Sequence, residues 1–296
     1  MPYVGELSAL LTAFLWSGTS FAFSSAAVKI GSLQLNINRM LLASVLLYAT
    51  ILIGGFGFTL SSSQVINLII SGIIGLVIGD SLLFKAFQSI GARVSMLLMA
   101  SSPAMSSVLA YFFLGESLSI FGFIGIAVTI FGIGLVVLDR SEIPDARFKI
   151  NKIGVIYGLL GALGQAAGLI FAKFAFEEGE VDKMVATFIR IISSVLILLI
   201  AALLAKRYKN PVKLYKEYPR ALGATIIGTI LGPYLGITFS LVAIAHTKVG
   251  IAATLMSTMP IIMLPYVRYV YKERLSWRAI AGAFIAVAGV TILFIR

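Results

Sequence analysis

Of the 12 acidic residues in this 296-residue chain, Asp80 is the one that lies well inside a long apolar segment. An ionisable group in such a segment is costly, so it is a candidate functional residue by default. One interpretation is a carboxylate that couples transport to protons or to substrate. The alternative is a structural carboxylate paired with a donor on a neighbouring helix. Lys85, five residues later, lies on another helix face and is a poor local partner.

Polar and polarizable side chains inside other apolar segments are candidates for a substrate path. Trp16 could stack on a solute, Gln165 could hydrogen-bond one, and methionine surfaces repack around varied ligands. Helix packing is the alternative for the tryptophan and the methionines. The predicted path residues are Trp16, Ser20, Asp80, Met99, Ser102, Gln165, Tyr234, Thr238, Met256 and Met259.

Two prolines fall in the middle of apolar segments, at Pro103 and Pro260. Each lacks an N–H and should free the carbonyl four residues earlier, at Met99 and Met256. Such a carbonyl needs a partner or a water-filled cavity. The pair predicts two hinges beside a substrate site, with static kinks as the alternative.

Arg39 and Arg190 stand near the starts of corresponding apolar segments. Interfacial anchoring is the favoured interpretation for Arg39. Arg190 lies deeper, and an anion contact is conceivable there. Pairing with a loop carboxylate such as Glu180 or Asp182 is the favoured alternative.

Composition excludes most catalytic and metal chemistry. The chain has no Cys and one His, so cysteine zinc sites and paired-histidine sites are ruled out. No nucleophile–base spacing is evident, and His246 is predicted to be a solvated loop residue. The sequence therefore predicts no enzyme, no metal and no cofactor.

The segments that carry these residues have the composition of a membrane protein. The chain is 59% hydrophobic and 12% charged, against about 25% charged in typical soluble domains. Because a span needs about 20 apolar residues, we predict an all-α polytopic membrane protein with ten transmembrane helices. They are Gly5–Ala26, Asn36–Gly54, Val65–Phe87, Val94–Leu114, Ile120–Leu138, Ile153–Phe174, Met184–Ala205, Ala221–Ala243, Gly250–Tyr271 and Trp277–Ile295.

An internal repeat divides the chain. A shift of 157 positions brings Pro103 onto Pro260 and Glu116 onto Glu273. A smaller shift pairs Gly75 and Gly79 with Gly228 and Gly232. We predict two five-helix repeats, 1–138 and 152–296, joined by a linker at 139–151. Because each half has an odd number of helices, the repeats are inverted, an architecture that secondary transporters use.

These motifs resemble the EamA family of the drug/metabolite transporter superfamily. The likeness lies in Phe14–Thr19 with Trp-Ser-Gly, in Asn38–Ala43, in Ser101–Ser119 with Gly-Glu-Ser-Leu, and in Met256–Ser276 with Lys-Glu-Arg-Leu. The resemblance implies movement of small metabolites across a membrane, often outward. It also implies a central path between helices of both halves.

The resulting hypothesis is a secondary transporter that exports small, amphipathic metabolites such as amino acids. It would work by alternating access, with Asp80 as a candidate for proton coupling. A lipid or lysolipid flippase or scramblase is one alternative, and a non-transporting membrane sensor is another. The expected partners are a small-molecule substrate and membrane lipids, with no nucleic acid; monomer and dimer are both open.

The net charge of +11 is concentrated in the linker and in the loops after helices seven and nine. These three loops share one side if there are ten helices. The positive-inside rule then predicts that this side is cytoplasmic and that both termini are outside. The predicted location is the cell membrane of a prokaryote.

Overall fold

The computed structural model describes residues 3–115, 119–137, 149–246, 255–269 and 275–293, and these residues form helices and no strand. We number the α-helices in chain order and label two π-helical segments π1 and π2. They are α1 (Val4–Ile30), α2 (Ser32–Gly54), α3 (Ser62–Gly72), π1 (Ile73–Gly79), α4 (Asp80–Met99), α5 (Ser102–Phe113), α6 (Ile120–Val137), α7 (Lys152–Glu177), α8 (Lys183–Leu204), α9 (Pro211–Glu217), α10 (Pro219–Thr229), π2 (Ile230–Gly236), α11 (Ile237–His246), α12 (Met259–Tyr269) and α13 (Trp277–Leu293).

Six helical stretches in the described part of the chain are long and apolar enough to cross a membrane. They are Val4–Ile30, Ser32–Gly54, Ser62–Met99, Lys152–Glu177, Lys183–Leu204 and Pro219–Ser240. Two shorter apolar helices cover Ile120–Val136 and Trp277–Ile292. The prediction of an all-α membrane protein is confirmed.

The third of these stretches contains a sharp turn at Gly91. Its backbone has φ 76° and ψ 169°, a conformation that glycine adopts without the steric penalty of a side chain. The turn divides α4 into a part that continues π1 and a part that leads towards α5. The sequence-based boundary between the third and fourth predicted spans falls at this glycine.

The π-helical segments recur at the same offset as the prolines. Both π1 and π2 are seven residues long, and π2 begins 157 positions after π1. Gly75 and Gly79 therefore correspond to Gly232 and Gly236. The smaller shift that we predicted for these glycines is wrong. The two π segments that contain them are themselves 157 positions apart.

Helix α7 packs closely on the α3–π1–α4 stretch through glycines. The Cα of Gly75 would lie 3.0 Å from a side chain added at Gly168, and the Cα of Gly79 2.8 Å from one added at Gly164. The Ser71 hydroxyl also donates to the Gly168 carbonyl at 2.5 Å. Small residues allow this backbone approach inside a membrane, where interhelical packing replaces the hydrophobic effect.

Helix α1 packs in the same way on the α10–π2–α11 stretch. A side chain added at Gly236 would overlap the Trp16 indole, and one added at Gly232 would overlap Thr19. Trp16 on α1 and Gln165 on α7 thus face the corresponding glycines Gly236 and Gly79. The two residues therefore occupy corresponding places in the two halves of the chain.

Helices α6 and α13 form a close antiparallel pair. A side chain added at Gly132 would overlap the Ala286 backbone and the Gly282 carbonyl, and one added at Gly289 would overlap Thr129. The Thr129 hydroxyl donates to the Gly125 carbonyl at 2.8 Å and lies 3.4 Å from the Ala286 carbonyl. The two helices are therefore fixed against each other by backbone contact.

The basic segment after α8 meets the start of α2. The Lys209 N–H donates to Gln34 at 3.0 Å, and the Tyr208 hydroxyl donates to Asn38 at 2.8 Å. Burial raises the pKa of the Tyr208 phenol, with a smaller effect from Tyr215, so it remains a donor at neutral pH. This end of the bundle is closed by neutral hydrogen bonds between the loop and the helix.

Candidate functional site

Asp80 is the first residue of α4, directly after π1, and its carboxylate is buried. It forms an ion pair with Arg39 of α2. Gln165 of α7 donates to the other carboxylate oxygen at 2.5 Å, and Arg190 of α8 lies close enough to interact electrostatically. We call Arg39, Asp80, Gln165 and Arg190 the charged cluster. It joins four separate helical elements.

The Arg39 guanidinium contacts polar and aromatic groups of several neighbouring residues. It donates to Asn36 at 3.0 and 3.1 Å and lies over the rings of Phe23 and Phe84, 5.5 and 4.8 Å from their centroids. The residue is 5% exposed. The prediction that Arg39 anchors the helix at the membrane interface is therefore wrong. Aromatic faces and a carboxylate replace its lost hydration.

Segment π1 positions Asp80 through its backbone hydrogen bonds. The Asp80 N–H donates to the Gly75 carbonyl, five residues earlier, and Gln165 donates to the same carbonyl at 3.2 Å. Asn36 donates to the Leu76 carbonyl at 3.1 Å and to the Ser81 hydroxyl at 2.9 Å. A π turn is rare and is frequently found at functional sites. In π1, the Gly75 and Leu76 carbonyls accept hydrogen bonds from side chains of the neighbouring helices α7 and α2.

Arg190 differs from Arg39 although the two are related by the repeat. Each is the eighth residue of its helix, α8 and α2 respectively. The Nε of Arg190 is buried and has no hydrogen-bond partner among the described residues. Asp182, one of the partners favoured from the sequence, instead accepts the Met184 and Val185 N–H groups as the N-cap of α8.

The helix breaks near Pro103 and Pro260 have matching geometry. Helix α4 ends at Met99, and Pro103 is the second residue of α5; Pro260 is the second residue of α12. The Ser101 and Thr258 hydroxyls each donate to a carbonyl three residues earlier, both at 2.6 Å. The prolines thus start new helices, and the prediction that they lie mid-helix is wrong. Proline is favoured in a first turn, where its missing N–H has no partner to lose.

Several predicted path residues meet between α1, α12 and the end of α4. Ser20 is buried and lies 3.7 Å from the Met263 sulfur, and the Ser17 hydroxyl lies 3.5 Å from the Met259 carbonyl. Met99, Trp16 and Met259 belong to the same apolar cluster. The structure thus brings Trp16, Ser20, Met99 and Met259 together in one region.

The remaining predicted path residues lie elsewhere. The Tyr234 and Thr50 hydroxyls are 2.8 Å apart, and Thr238 donates to the Tyr234 carbonyl at 2.5 Å, so this pair faces α2 and α8. Met256 packs near Ala9 and Ala243. Ser102 is buried at the start of α5. Their assignment to a substrate path stays a prediction.

Two repeat-related glutamates lie outside the described residues. Glu116 and Glu273, which the sequence places at corresponding helix ends, are in the ranges 116–118 and 270–274.

The sequence-based site included Asp80 and Gln165 but not Arg39, the buried partner of Asp80, nor Asn36, which accepts from Arg39. A usable signal was present. Asp80 is the one acid predicted inside a span, so its counter-charge had to come from a basic residue within another span. Arg39 and Arg190 were the two repeat-related candidates.

Comparison with known proteins supports the same interpretation. A relative from Archaeoglobus fulgidus, named an uncharacterized transporter, is 22% identical over 291 residues, covering 98% of this chain and 97% of its own. A solved crystal structure matches with a TM-score of 0.67 and 17% identity, over 98% of this chain and 96% of that one, and so shares its fold.

Family comparison gives the assignment. A sequence model of the EamA-like transporter family matches residues 3–138 and again residues 152–295. Together the two matches cover nearly the whole chain. The protein therefore belongs to the EamA-like transporter family and is an integral membrane transporter.

Proposed function

We propose that the protein is a secondary transporter for small solutes, built from ten spans in two inverted five-helix repeats. The observation that carries the proposal is the recurrence at 157 residues of both special features. These are the π segments, π1 and π2, and the breaks before α5 and α12, at each of which a hydroxyl donates to a carbonyl three residues earlier. In transporters built from inverted repeats, interrupted helices at corresponding positions of the two halves form the site around which the halves move.

Contacts between corresponding helices support the inverted arrangement. Helix α2 is the second helix of the first half and α8 that of the second. Tyr48, late in α2, stacks on Phe188, early in α8, with ring centroids 5.7 Å apart. Tyr208, after α8, reaches Asn38, early in α2. Equivalent helices that run antiparallel are what inversion requires.

The predicted halves, 1–138 and 152–296 with the linker 139–151, are the moving units of this proposal. The direction is outward, the solutes are small and amphipathic, and the location is the cell membrane of a prokaryote, with the basic loops in the cytoplasm. The archaeal origin of the transporter relative fits this location. Membrane lipid and the solute are the proposed partners.

Alternating access can be tested with single cysteines, because the chain has none. We expect Ser20→Cys, at a buried position between α1 and α12, to react with a membrane-impermeant thiol reagent applied to either face of oriented vesicles. Ser61→Cys and Lys209→Cys are controls that should each react from one side. Reaction of Ser20→Cys from a single side, under all solute conditions, would contradict a carrier. Reaction of Lys209→Cys from outside intact cells would overturn the orientation.

Proton coupling through Asp80 makes a separate prediction. Asp80→Asn cannot ionise, so we expect its transport rate to be low and independent of pH, whereas the wild-type rate changes with pH. The double variant Asp80→Asn/Arg39→Met removes both charges of the ion pair and serves where the single variant does not fold. Rates are measured in vesicles at several pH values. A pH profile like that of the wild type would remove Asp80 from coupling.

A further inference from the structure

The charged cluster is unbalanced. It holds the guanidinium groups of Arg39 and Arg190 and a single carboxylate, that of Asp80, which is ion-paired with Arg39. With all three groups ionised, the formal charge of the cluster is therefore positive. The surplus charge belongs to Arg190.

An unbalanced charge inside a membrane span is unfavourable. Arg190 starts about 10 Å along α8 from its first residue, at 1.5 Å per residue, and so lies within the span. Its Nε is buried without a partner among the described residues. Arg39 has a carboxylate, an amide and two aromatic rings, and Arg190 has no comparable set. Charges inside a membrane span nearly always pair with a protein group and often line a substrate path, so a guanidinium whose Nε has no partner is a candidate ligand contact.

The end of the Arg190 side chain lies beside Gly75, a position without a side chain of its own. A side chain added at Gly75 would lie 3.6 Å from Nη2 of Arg190, 3.7 Å from Oε1 of Gln165 and 3.8 Å from the Cα of Gly168. These are ordinary contact distances, so a single atom placed there would touch the guanidinium. The Gln165 oxygen is an acceptor, which leaves Arg190 as the donor to an anionic oxygen that reaches this position.

We propose that Arg190 binds the carboxylate of an anionic organic solute. Arginine suits this role because its planar guanidinium presents paired donors that match two carboxylate oxygens. The bound anion neutralises the cluster, while Asp80 remains with Arg39 and Gln165. The assignment rests on the proposed transport function and names a substrate class for it.

Binding is tested on the purified full-length protein in detergent, apart from transport. Formate, acetate and benzoate are titrated against formamide, acetamide and benzamide, and chloride is titrated separately, with thermal unfolding as the readout. We expect at least one carboxylate to raise the unfolding temperature of the wild type while its amide does not. Arg190→Met should weaken that affinity at least tenfold. Stabilisation by chloride alone, or by carboxylates equally in Arg190→Met, would overturn the proposal.

Stability without ligand separates a binding role from a structural one. Arg190→Met keeps an apolar stem and removes the surplus charge, so its unfolding temperature without anion should equal or exceed that of the wild type. A clear decrease would show that Arg190 is a structural cation and would overturn the proposal. Gly75→Ala should also weaken carboxylate binding, whereas Gly223→Ala, whose added methyl meets nothing within 4 Å, should not.

The two proposals fail separately. If carboxylates bind through Arg190 but no solute crosses the membrane, the transport proposal fails and the site remains. If neutral solutes are transported and no carboxylate binds, the site assignment fails and the transporter remains.

Discussion

Asp80→Asn is expected to destabilise the folded protein by about 3–5 kcal/mol, more than either arginine substitution in the charged cluster. Removing the carboxylate leaves Arg39 and Arg190 as two buried cations without a counter-charge. Removing Arg39 as Arg39→Met leaves one acid and one base, because Asp80 still interacts with Arg190. Arg190→Met leaves the Arg39–Asp80 ion pair intact. Asp80→Asn is therefore the most destabilising, Arg39→Met follows, and Arg190→Met does not destabilise the protein.

The double variant Asp80→Asn/Arg39→Met is the matched control for this prediction. It restores the cluster's net charge, so it should recover at least half of the stability lost in Asp80→Asn. Unfolding of the purified protein in mixed detergent micelles measures all four variants on one scale, and the cycle isolates the coupling between Arg39 and Asp80. Additive losses in the double variant would contradict a direct pair.

Gly132→Ala is expected to destabilise the protein by about 1–3 kcal/mol through overpacking between α6 and α13. The added methyl would overlap the backbone of Ala286 and the carbonyl of Gly282, and backbone cannot move aside as a flexible side chain can. The helices must separate, and the neighbouring contact of Gly289 with Thr129 is lost with them.

Gly134→Ala on the same helix is the control for Gly132→Ala. Its added methyl meets nothing within 4 Å, so only helix propensity changes, which favours alanine by about 1 kcal/mol. The two substitutions are chemically identical and two residues apart, and they should have opposite signs in the same micellar unfolding assay. Equal effects would show that the α6–α13 contact does not govern stability.

The repeat could be read from the sequence because proline and glutamate rarely coincide by chance in apolar segments. Pro103 and Pro260 located the helix breaks, but not their form. A proline pattern does not distinguish a kinked helix from a new helix that starts one residue before the proline. The structure shows the second form, with Pro103 and Pro260 as the second residues of α5 and α12.

The sequence limits the partner of Asp80 to a basic residue in another span, but it does not decide between Arg39 and Arg190. Arg39 stands near a helix start, where an interfacial position is the usual outcome, and only packing of α2 against α4 buries it. The sequence pattern also does not predict the π segments. Glycines at 75, 79, 232 and 236 indicate close packing, but not the change of hydrogen-bond register that places Asp80 against Gln165.

Solute flux through the purified protein in vesicles is the most direct test of the central claim. Vesicles preloaded with an unlabelled panel of small carboxylates and neutral metabolites receive labelled solutes outside, and fluorescent lipid reports movement between leaflets in parallel samples. We expect counterflow accumulation of at least one solute that depends on the preloaded compound, with lipid movement no faster than in protein-free vesicles. Lipid movement without flux of any solute would contradict the account and favour a flippase or scramblase.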